Sequence, residues 1–433
     1  MLGALTGGLQ CQMLGRKKSL LIDNFVVFGG LIGLAFSNTF VSLLICRFIL
    51  GVSVASLMVN VPSYVGEICQ PEVRMVTGSF VSVATSGGMC TIMVIGTMLK
   101  WRTAILVISA IPIVVICLVV LLVPESPVWL LMNNKEHEAK RSFLRLRGNM
   151  LVVEAEMSRL KKNLEETTSE KNDNDSCCKM KEIVAAFKDA AFLKPFMILV
   201  FLFCLGLPWV GLPFIANYMV GILIEADIPF NPYLVSAGIM LFRFALYVTF
   251  SFGIAHRIKR RPLYIFTAIA MIIGNLSIAT YFVLKSNISF MQSYPQIKWV
   301  PVISILLIYT ACAMGYGIVP YMLQGEILPP YARAIGSGLL GFSANVSGFV
   351  AIKLGPSISG FIGLDGAFYL YSGIGVLILI VAYYTIPETF RLSLEDIAKI
   401  YQCNDNTRRS RDFRRRSSAS IVSFYEIPPP YNH

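Results

Sequence analysis

Residues 62–74 read PSYVGEICQPEVR, and residues 321–333 read YMLQGEILPPYAR. In each stretch a glutamate stands seven positions before an arginine, with proline between, directly after a long apolar run. Glu67 and Glu326 are 259 positions apart, and so are Arg74 and Arg333. A basic turn precedes each copy, GRKKSLL from Gly15 and KRRPLYI from Lys259, 244 positions apart. A proline–acid pair follows each, PESP from Pro124 and PETF from Pro387, 263 positions apart. Three signatures in one order at nearly one offset predict two related halves, the arrangement of carriers whose path runs between parallel repeats.

The composition says what solvent these halves meet. The 433 residues are 55% hydrophobic and 14% charged, with mean hydropathy +0.67, whereas soluble domains carry about a quarter charged residues. Apolar runs long enough to cross a bilayer as helix recur at about 19–38, 40–62, 75–98, 103–123, 196–222, 234–255, 263–284, 299–322, 335–359 and 366–386. The chain is predicted to be an all-α polytopic membrane protein. The opening MLGALTGGLQCQML is too short to span alone and has its basic residues after it, the reverse of a signal peptide. It reads as the second part of a helix.

The formal charge of +12 is one-sided. Thirty of the 37 Lys and Arg fall on one side if the spans alternate, in the GRKK turn, the HRIKRRP turn, residues 124–195, the tail from Pro387, Arg74 and Arg333. This is the positive-inside pattern, which puts that side in the cytosol and attributes the basic excess to topology and anionic lipid rather than nucleic acid. The division that follows is a transmembrane half at 1–123, a cytosolic linker with short helices at 124–195, a second transmembrane half at 196–386 and a tail at 387–433. The ten Cys show no paired metal spacing and the three His no cluster, so neither metal nor cofactor is indicated, and no nucleophile–base pair suggests an enzyme.

The repeated acids and bases lie at helix ends on the basic side, where ion pairs can hold the ends together in one state and part in another. Snorkelling that marks the interface is the plainer alternative; two matched copies favour gating. Arg243 and Lys353 lie inside spans, where charge is costly and points to function unless it reaches an end. No acidic residue is expected deep in the spans, which favours facilitated diffusion over proton symport.

The ordered motifs GRKK, RFILG with PSYVGEI, PESPVWLL, RIKRRPL, GYGIVPYMLQGEILPPYAR and PETFRLSLEDI resemble those of the sugar porter family of the major facilitator superfamily, nearest its facilitated trehalose transporter-like branch, over nearly the whole chain. The resemblance implies a bundle of two six-helix halves, here lacking the first helix and part of the second, that moves sugar by alternating access. It implies a gating set of Arg16, Glu67, Arg74, Glu125, Arg257, Arg260, Glu326, Arg333 and Glu388. It places Ser82, Trp209, Gly211, Tyr218, Gly317, Pro320, Tyr321 and Asn345 at pocket positions. The pocket departs from the family's pattern: LPWVGLP (207–213) stands where amide-rich residues are usual, and Ala313, Tyr321 and Ala344 replace polar or larger residues. Lost amides leave sugar hydroxyls unpaired at about 1–3 kcal/mol each. The aromatic residues then either stack on sugar or pack between helices. A non-transporting sensor or scaffold, or a carrier of a less polar solute, is the alternative reading.

The tail is basic and Ser-rich, with Ser418 after two arginines and a PPPY stretch (Pro428, Pro429, Tyr431) that fits a WW-domain ligand. The partners expected are thus a small sugar, the lipid bilayer and a WW-domain protein, at the plasma membrane.

Overall fold

The computed structural model describes residues 2–69, 71–133, 135–148, 190–253, 259–285, 294–328 and 333–386, with Glu388 and a few positions between 150 and 158; at 2, 4, 5, 9, 12, 66, 71–79, 81–82, 190–192, 194, 251–253, 295, 325–326, 333–335 and 337 it describes backbone alone. Among the described residues all regular structure is helical. The first part holds α1 (Leu2–Leu14), α2 (Arg16–Phe36), α3 (Phe40–Ile68), α4 (Pro71–Met98), α5 (Trp101–Ile108) and α6 (Ala110–Leu122), then the short α7 (Pro127–Met132) and α8 (Glu136–Arg147). The second holds α9 (Ala190–Phe201), α10 (Leu212–Glu225), α11 (Pro232–Gly253), α12 (Arg260–Lys285), α13 (Val300–Ala311), α14 (Val319–Ile327) and α15 (Arg333–Thr385). Each apolar run read from the sequence is mainly helix where it is described, with a break at 207–211 inside the run expected at 196–222.

Prolines and glycines explain the interruptions. The ring of Pro112 displaces the bond that would reach Ile108, and α5 gives way to α6 four residues earlier. The 53-residue α15 is two helices joined at Gly363, whose φ of 79° and ψ of 167° break the ladder between the runs expected at 335–359 and 366–386. After α9 and after α13 the backbone widens into single π-helical turns, Leu202–Gly206 and Cys312–Tyr316, before each helix breaks. Such turns recur where function needs an irregular helix.

Among the described residues, seven helical stretches are long and apolar enough to cross a membrane. Outward faces such as Phe40, Val41, Leu44 and Phe48 on α3 are apolar and exposed, as lipid contact requires. The densest core lies in the second part, around α12, which carries the fully buried Tyr264 and Tyr281 and packs against α13 and α15. The two parts meet along α4 and α11: a Cβ on Gly87 would approach the Phe244 ring at 3.1 Å, so a side chain there would separate the helices. Helix α1 lies on α3 through Gly3 and Gly7, a small-xxx-small stripe that lets backbones approach closely.

Candidate functional site

At the basic end of the first part, the gating residues assemble into one cluster. The Arg16 guanidinium forks onto Glu67, with Nη2 donating to Oε1 at 2.7 Å and Nε to both oxygens at 3.1 Å. Ser126 also donates to Glu67. Glu125 accepts from the backbone N–H groups of Arg16 at 2.8 Å and Lys17 at 3.0 Å, so a carboxylate from the chain after α6 caps the open N-terminus of α2. Charge and orphan donors match there. Gly15 makes room: its φ is 95°, and a Cβ would sit 2.8 Å from a Glu125 oxygen. Lys17 Nζ donates to the Val120 carbonyl at 3.1 Å. Helix α8 closes the cluster from the side, with Ser142 on the Glu125 carbonyl at 2.6 Å and Arg147 on Ile68 at 3.1 Å.

The second part repeats two of these contacts at the sequence offsets. The Arg260 N–H donates to Glu388 Oε1 at 3.1 Å, capping α12, and Arg261 donates to the Tyr383 carbonyl at 2.7 Å. Residues 16, 17, 125 and 120 thus correspond to 260, 261, 388 and 383. Lys259 takes the place of Gly15 in the sequence. Arg74, Glu326 and Arg333 lie on described helices, but their side chains, like all of Arg257, fall outside the described residues.

The departures around LPWVGLP prove to be construction of a broken helix. Pro208 cannot donate to the Cys204 carbonyl; Ser347 of α15 donates to it instead. Tyr316 donates to the Gly206 carbonyl at 2.8 Å, and Asn275 of α12 to the Val210 carbonyl at 3.1 Å. Three freed carbonyls at membrane depth are each satisfied by a side chain from a different segment, the condition for irregular backbone in lipid. Trp209 donates its indole N–H to Ser347 at 3.0 Å. Gly211, at φ 81°, starts α10, and a Cβ there would lie 2.9 Å from Tyr371 and 3.1 Å from Asn275 Oδ1. Ser347, Asn275, Tyr316 and Tyr371 escaped the sequence reading because a lone polar residue in a span does not name the carbonyl it will serve.

The remaining pocket residues are less concentrated. Tyr321 is 61% exposed and stands edge-on to Phe203 at 4.9 Å; Tyr218 is half open and packs on Phe214. Gly317 closes the second π turn on the Cys312 carbonyl at 3.0 Å, and Pro320 lies in the first turn of α14. Asn345 is exposed and bonds its own helix at the Gly341 carbonyl. Ser82 lies on α4, its side chain outside the description. Lys353 is exposed on α15. Among the described residues Arg243 meets no carboxylate: it lies over the rings of Tyr309 at 5.1 Å and Tyr247 at 5.5 Å, and Nη1 reaches Met89 Sδ of α4 at 3.0 Å. It is therefore a cation held between the two parts. Away from the basic end, Lys298 pairs with Asp227 at 2.8 Å and holds that carboxyl below the usual range.

One expectation is overturned. Asp23, two turns into α2, is 4% exposed, so an acid does lie deep in a span. Read along one segment it sits near an apolar boundary; the neighbouring α1 and α3 are what bury it. The tail residues Ser418, Pro428, Pro429 and Tyr431 lie outside the described residues.

The broken helices and the duplicated end clusters define the site, and comparison with known proteins gives the family. The family described as "Sugar (and other) transporter" matches residues 1–401, and the chain belongs to it. It is 28% identical over 405 residues to the "Facilitated trehalose transporter Tret1" of Anopheles gambiae, covering 92% of this chain but 48% of the relative, so it spans about half that protein's length. The protein of the same name from Polypedilum vanderplanki is 28% identical over 404 residues, covering 92% of this chain and 76% of the relative. The inward-open xylose transporter XylE of E. coli superposes with a TM-score of 0.72 at 21% identity, over 92% of this chain and 85% of that one. XylE bound to 6-bromo-6-deoxy-D-glucose gives 0.64 at 20% identity, over 92% and 86%. These structures establish the major facilitator fold.

Proposed function

We propose that the chain is a facilitative carrier of a sugar, trehalose or a hexose, working by alternating access. The observation that carries this is the duplicated capping of α2 and α12: each is fastened at its basic end by an acid from a distant segment, at matched offsets. Two halves fastened alike can rock about the helices between them. The Arg16–Glu67 fork is the latch on one half. It is half-buried, so its charges hold only while their partners stay in place. Glu326, Arg333 and Arg74 complete the set, Arg257 is expected to join them by its place in the motif, and the basic end faces the cytosol of the plasma membrane. Trp209, Tyr218 and Tyr321 offer rings near the helix breaks, where sugar would stack in place of bonding amides. Residues 1–123 and 196–386 are the moving halves, 124–195 the linker, and PPPY in the tail recruits a WW-domain protein.

The test is uptake of labelled trehalose and glucose into cells with the protein confirmed at the surface. Saturable uptake that Glu67→Gln abolishes is the expected result. Surface expression without uptake of either sugar would reject sugar as the solute.

A further inference from the structure

Asp23 sits in a polar cage between three helices. Ser56 Oγ of α3 donates to its Oδ2 at 2.8 Å, and Asn60 Nδ2 of the same helix approaches that oxygen at 2.6 Å. Ser56 and Asn60 are themselves 2% and 0% exposed. From α1 the Gln10 amide faces the same carboxyl without closing a hydrogen bond, its buried Nε2 left without a partner. Among the described residues no Lys, Arg or His pairs with Asp23. An unpaired carboxylate in such a place costs several kcal/mol, which the addition of a proton removes. Both donors reach Oδ2, so among the described residues Oδ1 is left to carry the proton.

The charged and titratable groups around the cage are few. On α2 and α3, Arg16 and Glu67 lie seven residues from Asp23 and Asn60, about 10 Å along each helix and on the same faces. On α1, Cys11 joins both layers: its carbonyl accepts from Arg16 Nη1 at 2.6 Å, and its thiol meets Asn60 Oδ1 at 2.9 Å. Of the other helices against α2, α6 carries only the exposed Cys117, and Arg102 of α5 bonds Ser37 and Asn38 at the far end. One hydrogen-bonded chain therefore runs from Glu67 through Arg16, Cys11 and Asn60 to Asp23 and Ser56.

We propose that Asp23 is a proton-binding site, occupied at neutral pH, whose occupancy is linked through Cys11 to the Arg16–Glu67 pair. The proton comes from water and neutralises the carboxylate; its loss charges the cage and loosens α1 and α2 from α3. The site does not rest on sugar transport, because its occupancy can be read with no substrate present. The test is infrared difference spectroscopy of the purified protein in lipid nanodiscs during a pH titration. A protonated-carboxyl stretch at neutral pH that Asp23→Asn removes is the expected result. Asn60→Ser, a second variant in case Asp23→Asn does not fold, should shift the same band by altering its hydrogen bond. Glu67→Gln leaves Arg16 uncompensated, and the band should then titrate about one pH unit lower. Absence of a protonated-carboxyl band at neutral pH, or a band unmoved by both cage variants, overturns the site. A band that Glu67→Gln does not move overturns the linkage.

Discussion

Gly211 starts α10 at a positive φ with Tyr371 and Asn275 pressed against the place a side chain would take. Alanine there meets both strain and contact, so Gly211→Ala is expected to destabilise the protein by about 1–3 kcal/mol, read as a lower thermal midpoint in detergent. Ser347 stands close by and does two things, donating to Cys204 and accepting from Trp209. Ser347→Ala leaves a buried carbonyl and an indole N–H unmatched. The expected loss is about 1–3 kcal/mol, while Ser347→Thr, which keeps the hydroxyl, should lose less. The Pro208 in LPWVGLP was legible as a helix breaker, and so was the loss of amides there. That the break would be mended by Ser347, Tyr316 and Asn275 was not, because each lies far away in sequence and packs there only after folding.

Between elements, the two parts pack together along α4 and α11. Gly87 has a ring at its shoulder, and Arg243 holds its charge between Tyr247, Tyr309 and the sulfur of Met89. Gly87→Leu must push Phe244 aside. Overpacking of this kind costs about 1–3 kcal/mol, and here it is also expected to slow any rocking of the halves, seen as a lower maximal uptake rate at unchanged surface expression. An unchanged rate would mean that α4 and α11 do not slide during transport. The helices themselves followed from apolar runs and from Pro and Gly positions. The π turns did not, since nothing in LFCLG or CAMGY distinguishes a widened turn from an ordinary one.

At the scale of the whole molecule, two acids fasten two helices in two halves. Glu125→Gln and Glu388→Gln each keep the shape and remove the charge from a helix N-terminus. Each is expected to cost about 1–2 kcal/mol, seen as lower thermal midpoints of similar size. A loss at Glu125 alone would show that the halves are fastened unequally. The repeated spacing, the hydropathy and the one-sided charge were enough to determine a membrane-spanning helical chain of two like halves, because each is a linear property that lipid and periodicity read directly. Tertiary structure alone decided that Glu67 takes Arg16, that Glu125 and Glu388 cap helices, and that Asp23 is buried with no cation beside it among the described residues. Those outcomes depend on which faces meet when helices distant in sequence pack together, and a side chain's burial and partner belong to the contact between helices rather than to either helix alone.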